Sequence, residues 1–175
     1  MIFLIFSSIK FLLWFLPIFL IVYGITPRKY RNLTLLVGSI VFYARGDVRY
    51  LPLLMISILC NYFLGLHLAK RSPKTLWRKK LLLILTLGAN LAVLLWFKDW
   101  GGSAGLPLGI SFYTFQILSY QIDVYRGEVS REYSFLKFAT YVIMFPKLIS
   151  GPITRYGDIS DSLTERTFTV RGLGD

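Results

Sequence analysis

The chain is poor in the residues that form disulfides, metal sites and acid–base catalysts. Its one cysteine, Cys60, excludes an internal disulfide and a cysteine-based metal site. Its one histidine, His67, lies in an apolar stretch beside a basic loop, where we expect a packing or interface residue rather than a base. No basic residue precedes the first apolar run, so a cleaved signal peptide is not expected.

Hydrophobic residues dominate the composition. They make up 55% of the 175 residues, and the mean hydropathy of +0.58 exceeds ordinary soluble usage. Apolar stretches recur near the ~20 residues that a helix needs to cross a bilayer, and backbone amides at that depth must bond within a helix. No linker or fixed-period repeat divides the sequence. We therefore expect one membrane-embedded unit, residues 1–175.

The apolar pattern predicts an all-α, polytopic transmembrane helical bundle of about six spans. The third and fourth spans are interrupted only by uncharged polar residues or His67, whereas the second is short enough to be tilted or partly inserted. The predicted spans are Phe11 to Gly24, Leu33 to Ala44, Tyr50 to Ala69, Leu81 to Phe97, Leu106 to Tyr125 and Phe135 to Ile149.

The distribution of basic residues predicts the orientation of these spans. Short loops rich in lysine and arginine face the cytoplasm. Two loops fit that description, Arg28 to Arg31 and Lys70 to Lys80, while the loops at Arg45 to Arg49 and at Lys98 carry less charge. Alternating crossings then place the amino terminus outside the cytoplasm.

The net charge of +11 invites comparison with nucleic-acid-binding proteins. The basic residues are spread among short loops at the ends of apolar segments rather than gathered on one soluble face, so we expect no nucleic-acid partner. Attraction of the Lys70 to Lys80 loop to anionic headgroups would be worth about 1 kcal/mol per basic residue. The alternative is that these charges determine topology and nothing more.

One face of the fifth predicted span is polar. Tyr113, Gln116, Tyr120 and Asp123 share that face at helical spacing, and Arg126 lies within pairing distance of Asp123. A carboxylate at membrane depth costs about 2.5–3.5 kcal/mol on insertion scales, so Asp123 requires an explanation. The face either joins helices through interhelical hydrogen bonds, each worth about 0.6–2 kcal/mol, or lines a water-filled cavity or substrate passage.

The sixth span ends in a segment that cannot continue as a helix. Pro146 and Pro152 remove backbone donors, and Gly151 frees φ, so the helix must stop or break there. Non-helical backbone at membrane depth is tolerated only where it is buried in protein or lines a wet cavity. The segment is either a broken or re-entrant element near Pro146 to Pro152, or a helix end at which Arg155 and Tyr156 lie among headgroups.

Two phrases carry a family resemblance: LPLGISFYTFQILSYQIDVYRGE, residues 106–128, and FPKLISGPITRY, residues 145–156. Both resemble the signature of the membrane-bound O-acyltransferase family, in its bacterial alginate O-acetyltransferase and D-alanyl transfer type. The first phrase follows the family pattern almost without a break. The matching residues of the second are Phe145, Pro146, Gly151, Pro152, Ile153, Arg155 and Tyr156.

The resemblance implies a multi-pass enzyme of the bacterial inner membrane. Such enzymes move an acyl group, commonly acetyl, from a cytoplasmic donor such as acetyl-CoA or an acyl carrier protein to hydroxyls of an exported polysaccharide or cell-wall polymer. No permanently bound cofactor or metal is implied. The expected partners are the lipid bilayer and polysaccharide export or modification proteins.

The resemblance also implies that the catalytic histidine lies in a later helix, and His67 does not match its position. Family members are more than twice as long. We therefore expect an amino-terminal fragment that is inactive without its carboxy-terminal half, with no catalytic residue of its own. The alternatives are a non-catalytic polytopic module for substrate passage, and a structural subunit that docks on a partner.

Overall fold

The computed structural model describes residues 11–68, 76–100, 105–129, 132, 134–145 and 155–158. This part of the chain is helical and contains no strand, which confirms the all-α prediction. Each predicted span overlaps one α-helix. The helices are α1 (Leu16–Ile25), α2 (Arg31–Asp47), α3 (Leu51–Leu68), α4 (Leu76–Leu95), α5 (Ile110–Arg126) and α6 (Phe135–Ile143).

Two segments are long and apolar enough to cross a membrane, Arg28–Leu68 and Trp77–Asp99. The apolar helix at Leu13–Ile25 is shorter. At 1.5 Å per residue it is about 20 Å long, less than the ~30 Å of a hydrocarbon core. Length and composition therefore support two membrane-crossing segments, and the six-span bundle is not confirmed.

The first of these segments is two helices rather than one. Asp47 leaves the helical region, with φ −160° and ψ 80°, and the chain reverses direction there. The Asn32 carbonyl accepts a hydrogen bond from Thr140 of α6, while the Tyr62 ring lies 6.0 Å from that of Phe138, also in α6. A straight helix would separate residues 32 and 62 by about 45 Å. The helix α2 also runs beyond the short span predicted there, Leu33 to Ala44.

Contacts between turns define two ends of the bundle. At the Tyr50 end, the Tyr50 hydroxyl donates to the Gly105 carbonyl at 3.2 Å, and its ring lies 5.6 Å from that of Phe97. At the Glu132 end, the Glu132 amide donates to the Tyr120 hydroxyl at 3.0 Å, close to the start of α6. Successive helices therefore run in alternating directions between the two ends.

The short helix α6 lies at the centre of the packing. Six consecutive residues, 138–143, are buried, and α6 packs against α2, α3 and α5. Ser134 begins the helix by accepting a hydrogen bond from the Lys137 amide. The helix ends at Ile143, earlier than the predicted Ile149, because Met144 has an extended ψ of 112°. Pro146, two residues further on, has no backbone N–H with which the helix could be extended.

Large apolar side chains cover the outside of α1 and α4. Those that are exposed include Leu13, Trp14, Ile18, Leu20, Ile21, Val22 and Ile25 near α1, and Trp77, Leu81, Ile84, Leu85, Leu91, Val93, Leu95 and Trp96 near α4. Soluble monomers rarely expose contiguous apolar surfaces of this kind, whereas lipid solvates them. These surfaces identify a membrane protein.

Amide side chains join three of the apolar helices. Asn61 of α3 and Asn90 of α4 exchange hydrogen bonds of 3.1 and 2.9 Å, and Gln121 of α5 donates to the Asn61 carbonyl at 2.7 Å. This network was not predicted from the sequence. A lone asparagine in an apolar helix is the only signal, and it does not reveal its partner.

Two helical glycines provide a test of the α1–α2 packing. A Cβ added to Gly38 would lie 2.3 Å from the Phe19 ring, whereas one added to Gly88 meets nothing within 4 Å. We expect Gly38→Ala to destabilise the protein by about 1–3 kcal/mol through overpacking. Gly88→Ala should stabilise it by about 0.5–1 kcal/mol, because alanine loses less backbone entropy in a helix.

Unfolding in mixed micelles, followed by circular dichroism, measures both changes. Equal effects of the two substitutions would contradict the close contact between Phe19 and Gly38.

Candidate functional site

The helix α5, which carries most of the first motif phrase, has a glycine in left-handed conformation at each end. Gly109 precedes it with φ 65°, and Gly127 follows it with φ 78°. The Gly127 amide donates to the Val124 carbonyl and the Glu128 amide to the Asp123 carbonyl, which is the Schellman pattern. An l-residue with a side chain is strained in this conformation, so the two glycines fix where α5 begins and ends.

The polar face predicted on α5 points into the protein. Tyr113, Gln116, Tyr120 and Asp123 are all buried, with at most 5% of their surface exposed. They line a seam beside α6, and Tyr43 of α2 lies close enough to Tyr113 to complete this seam of α2, α5 and α6. The Tyr141 hydroxyl of α6 donates to the Gln116 carbonyl at 3.5 Å, and the Tyr120 ring lies 4.9 Å from that of Phe138.

Several polar atoms of this seam have no hydrogen-bond partner among the residues that the structure describes. They are the hydroxyls of Tyr43 and Tyr113, Gln116 Oε1 and Asp123 Oδ2. Gln121 Oε1, which lies toward α3, also has no such partner. A buried polar atom without a partner is costly, so native proteins pair most of them with protein groups, water or ligands.

The ion pair predicted between Asp123 and Arg126 is not formed. Arg126 instead lies 3.6 Å from a carboxylate oxygen of Glu128, and Arg155 lies 3.9 Å from the other oxygen of that group. Arg126 and Glu128 are exposed at the end of the helix, while Asp123 lies inside the seam. Arg155 and Arg126 nevertheless lie close enough to Asp123 for electrostatic attraction without a direct ion pair.

Tyr156 brings the second motif phrase against the first. Its ring packs edge-on against Tyr120 at 5.2 Å and against Tyr141 at 5.1 Å. Its hydroxyl donates to Glu132, whose other carboxylate oxygen accepts from the Ser134 amide at 2.7 Å. Burial, together with the bond to Glu132, raises the pKa of Tyr156, so this hydroxyl stays protonated as a donor.

The other end of the second phrase packs among aromatic rings. The Phe145 ring lies 5.1 Å from Phe19, 5.6 Å from Phe42 and 5.7 Å from Phe15. The Phe145 amide donates to the Ser39 hydroxyl at 3.2 Å. Three predicted site residues, Pro146, Gly151 and Pro152, lie outside the described residues, as does the predicted break between them.

Sequence reasoning missed Glu132 and Tyr141. Glu132 lies in the loop between α5 and α6, where an acidic residue is unremarkable, and Tyr141 occupies an apolar helix, where it resembles a core residue. Only the folded chain shows that both contact Tyr156 or its neighbours.

The described residues hold hydrogen-bond donors and acceptors but no group of three or more histidine, cysteine, aspartate or glutamate side chains placed to bind a metal. The His67 ring nitrogen Nδ1 lies 2.8 Å from the Phe63 carbonyl of its own helix. It is exposed and takes no part in the seam. The arrangement can bind hydroxyl groups or water.

We expect Tyr156→Phe to loosen the contact between the two motif phrases. The substitution keeps the ring contacts and removes a hydrogen bond to a carboxylate, worth about 1.5–3 kcal/mol. Hydrogen exchange of the amides near residues 132 and 155–158 should become faster. Tyr125→Phe, at a half-buried position on α5, is the matched control and should leave exchange unchanged. Unaltered exchange in Tyr156→Phe would show that the bond to Glu132 does not hold the phrase in place.

Comparison with known proteins finds relatives over nearly the whole chain. It is 40% identical over 95% of its length to the probable alginate O-acetylases AlgI of Pseudomonas putida and Pseudomonas aeruginosa, and it covers 38% and 36% of them. It is 31% identical over 93% of its length to the peptidoglycan O-acetyltransferase of Helicobacter pylori, of which it covers 39%.

The chain thus spans little more than a third of the length of these curated relatives. No family model matches it, and no solved structure matches it significantly. The resemblance drawn from the two motif phrases is nevertheless confirmed, since the relatives are O-acetylases of that type. Over nearly its whole length, the chain is homologous to part of the O-acetyltransferases that include the alginate and peptidoglycan enzymes.

Proposed function

We propose that the chain forms part of a membrane-bound O-acyltransferase that moves an acyl group, commonly acetyl, to hydroxyls of an exported polysaccharide or cell-wall polymer. The observation that carries this proposal is the 40% identity to alginate O-acetylases over 95% of the chain. The contact between Tyr120 and Tyr156 adds structural support, because the two phrases that carry the resemblance meet at one seam.

In this proposal the chain contributes polar interior rather than the catalytic base. The seam of α2, α5 and α6 provides buried hydroxyl, amide and carboxyl groups, of which Tyr113, Gln116, Tyr120 and Asp123 belong to the first phrase. Acyl transfer to a hydroxyl also needs a base and an oxyanion stabiliser. We place the base in the part of the relatives that this chain does not cover. We therefore expect the chain alone to be inactive.

The acyl donor in this proposal is cytoplasmic and anionic, as acetyl-CoA or an acyl carrier protein would be. Basic side chains at the Glu132 end favour such a donor. The start of α2 brings Arg28, Lys29 and Arg31 to this end, and the end of α5 brings Arg126. The remaining proposed partners are the bilayer of the bacterial inner membrane, a carboxy-terminal half, and proteins of polysaccharide export or modification.

A second candidate is a non-catalytic module through which a polar substrate passes. The specific observation in its favour is that the described part of the seam offers unpartnered polar atoms and no histidine. The two candidates predict different phenotypes for a cell that lacks the protein. A transferase modifies a polymer that is made and exported without it, whereas a passage module is needed for export.

We expect removal of the gene to abolish O-acetyl esters on the exported polymer while polymer yield is unchanged. Alkaline release of acetate, normalised to sugar content, measures both quantities in the cells that carry the gene. The intact gene should restore esters, and so should His67→Ala, because that histidine bonds only its own helix among the contacts described. Loss of the polymer itself would favour the passage module, and failure of His67→Ala would place the base in this chain.

The same proposal includes six crossings with the amino terminus outside. With Cys60→Ser removing the only thiol, single cysteines at Lys29 and Lys79 should react only after the membrane is permeabilised. Cysteines at Arg49 and Lys98, near the Tyr50 end, should react with an impermeant maleimide in intact cells. Labelling of position 29 or 79 from outside would overturn the orientation.

A further inference from the structure

The unpartnered atoms of the seam form a row along the bundle. Tyr113 and Asp123 are ten positions apart on α5, so the row extends about 15 Å along that helix. At one end, the Tyr43 hydroxyl is close enough to Tyr113, Asp47 and Tyr50 for electrostatic interaction. At the other, Tyr141 interacts with Asp123, Asp158 and Tyr120 in the same way. The row therefore reaches from the neighbourhood of the Tyr50 end to that of the Glu132 end.

The side chains of this row expose almost none of their surface to solvent. Tyr43 is 0% exposed, Tyr113 2%, Gln116 1% and Asp123 5%. The unpartnered atoms are two hydroxyls, which can donate and accept, followed by an amide oxygen and a carboxylate oxygen, which accept. A small molecule that both donates and accepts hydrogen bonds could pair with all four atoms. Buried water commonly pairs with unsatisfied polar groups in this way.

The surroundings of the row distinguish it from an ordinary packing defect. Polar neighbours that are satisfied, Tyr120 and Tyr156, form bonds with Glu132, and the apolar ring of Phe138 closes the seam beside them. The row occupies the space between three helices that provide polar atoms at successive levels. A single unpartnered atom would be an isolated defect, whereas four such atoms lie at successive levels of the same seam.

We infer that this row binds a file of ordered water molecules between α2, α5 and α6. The waters donate to Gln116 Oε1 and Asp123 Oδ2 and exchange hydrogen bonds with the hydroxyls of Tyr43 and Tyr113. The file connects Asp123, near the basic Glu132 end, with Tyr43, near the Tyr50 end. This inference concerns hydration of the bundle interior and does not depend on acyl transfer.

X-ray hydroxyl-radical footprinting of the full chain in nanodiscs tests the inference. Radiolysis of bound water oxidises side chains beside it, while dry buried side chains are protected. We expect oxidation of Tyr43 and Tyr113 at rates at least several-fold above that of Phe138, the 0% exposed control ring, after correction for intrinsic reactivity. Rates for Tyr43 and Tyr113 as low as that of Phe138 would show that the seam is dry and overturn the inference.

Variants provide a second, independent measurement. Removing an unpartnered hydroxyl from a dry site relieves a desolvation cost, so Tyr113→Phe would then raise the thermal midpoint. A hydroxyl bonded to water gains nothing from removal, and we expect the midpoint to fall or stay the same, as in the Tyr125→Phe control. Tyr113→Phe combined with Gln116→Leu should also lower Tyr43 oxidation several-fold. A raised midpoint, or unchanged Tyr43 oxidation in a folded double variant, contradicts the inference.

Discussion

The burial of α6 between α2 and α5 is the constraint on which the rest of the structure depends. The short helix has no face free for lipid along residues 138–143, so every neighbour must present a complementary surface to it. Thr140 bonds the start of α2, Phe138 packs on Tyr120 of α5, and Phe145 follows the helix into the rings of α1 and α2. Through these contacts α6 determines how the two motif phrases meet.

Much of the helical architecture could be predicted from the sequence, because hydropathy depends on composition over a window rather than on particular partners. Each of the six apolar stretches overlaps a helix, and the face with Gln116 and Asp123 is buried as helical spacing predicted. The boundaries were less accurate, because a hydropathy window averages over many residues and does not locate a single change of backbone direction. The helix α6 ends at Ile143, before the predicted Ile149, and α2 extends past the predicted Ala44.

The hydrogen-bond and ion-pair partners of individual side chains could not be predicted from the sequence. Helical spacing places Arg126 within reach of Asp123. Arg126 instead lies beside the exposed carboxylate of Glu128, just after Gly127, and this pairing does not require the guanidinium to be buried. Glu132 and Tyr141 carry no local pattern, and their bonds depend on how separate helices approach in space. The functional roles proposed for Tyr113, Gln116, Tyr120, Asp123 and Arg155 remain predictions.

The amide pair of Asn61 and Asn90 has a consequence for the register of α3 and α4. Leucine side chains along apolar helices offer almost equivalent contacts at many axial positions, so a slide of one turn, about 5.4 Å, would cost little in packing alone. The same slide would leave two amide side chains without their reciprocal bonds in an apolar surround. Two asparagines thus select one register for helices whose remaining contacts are nearly degenerate.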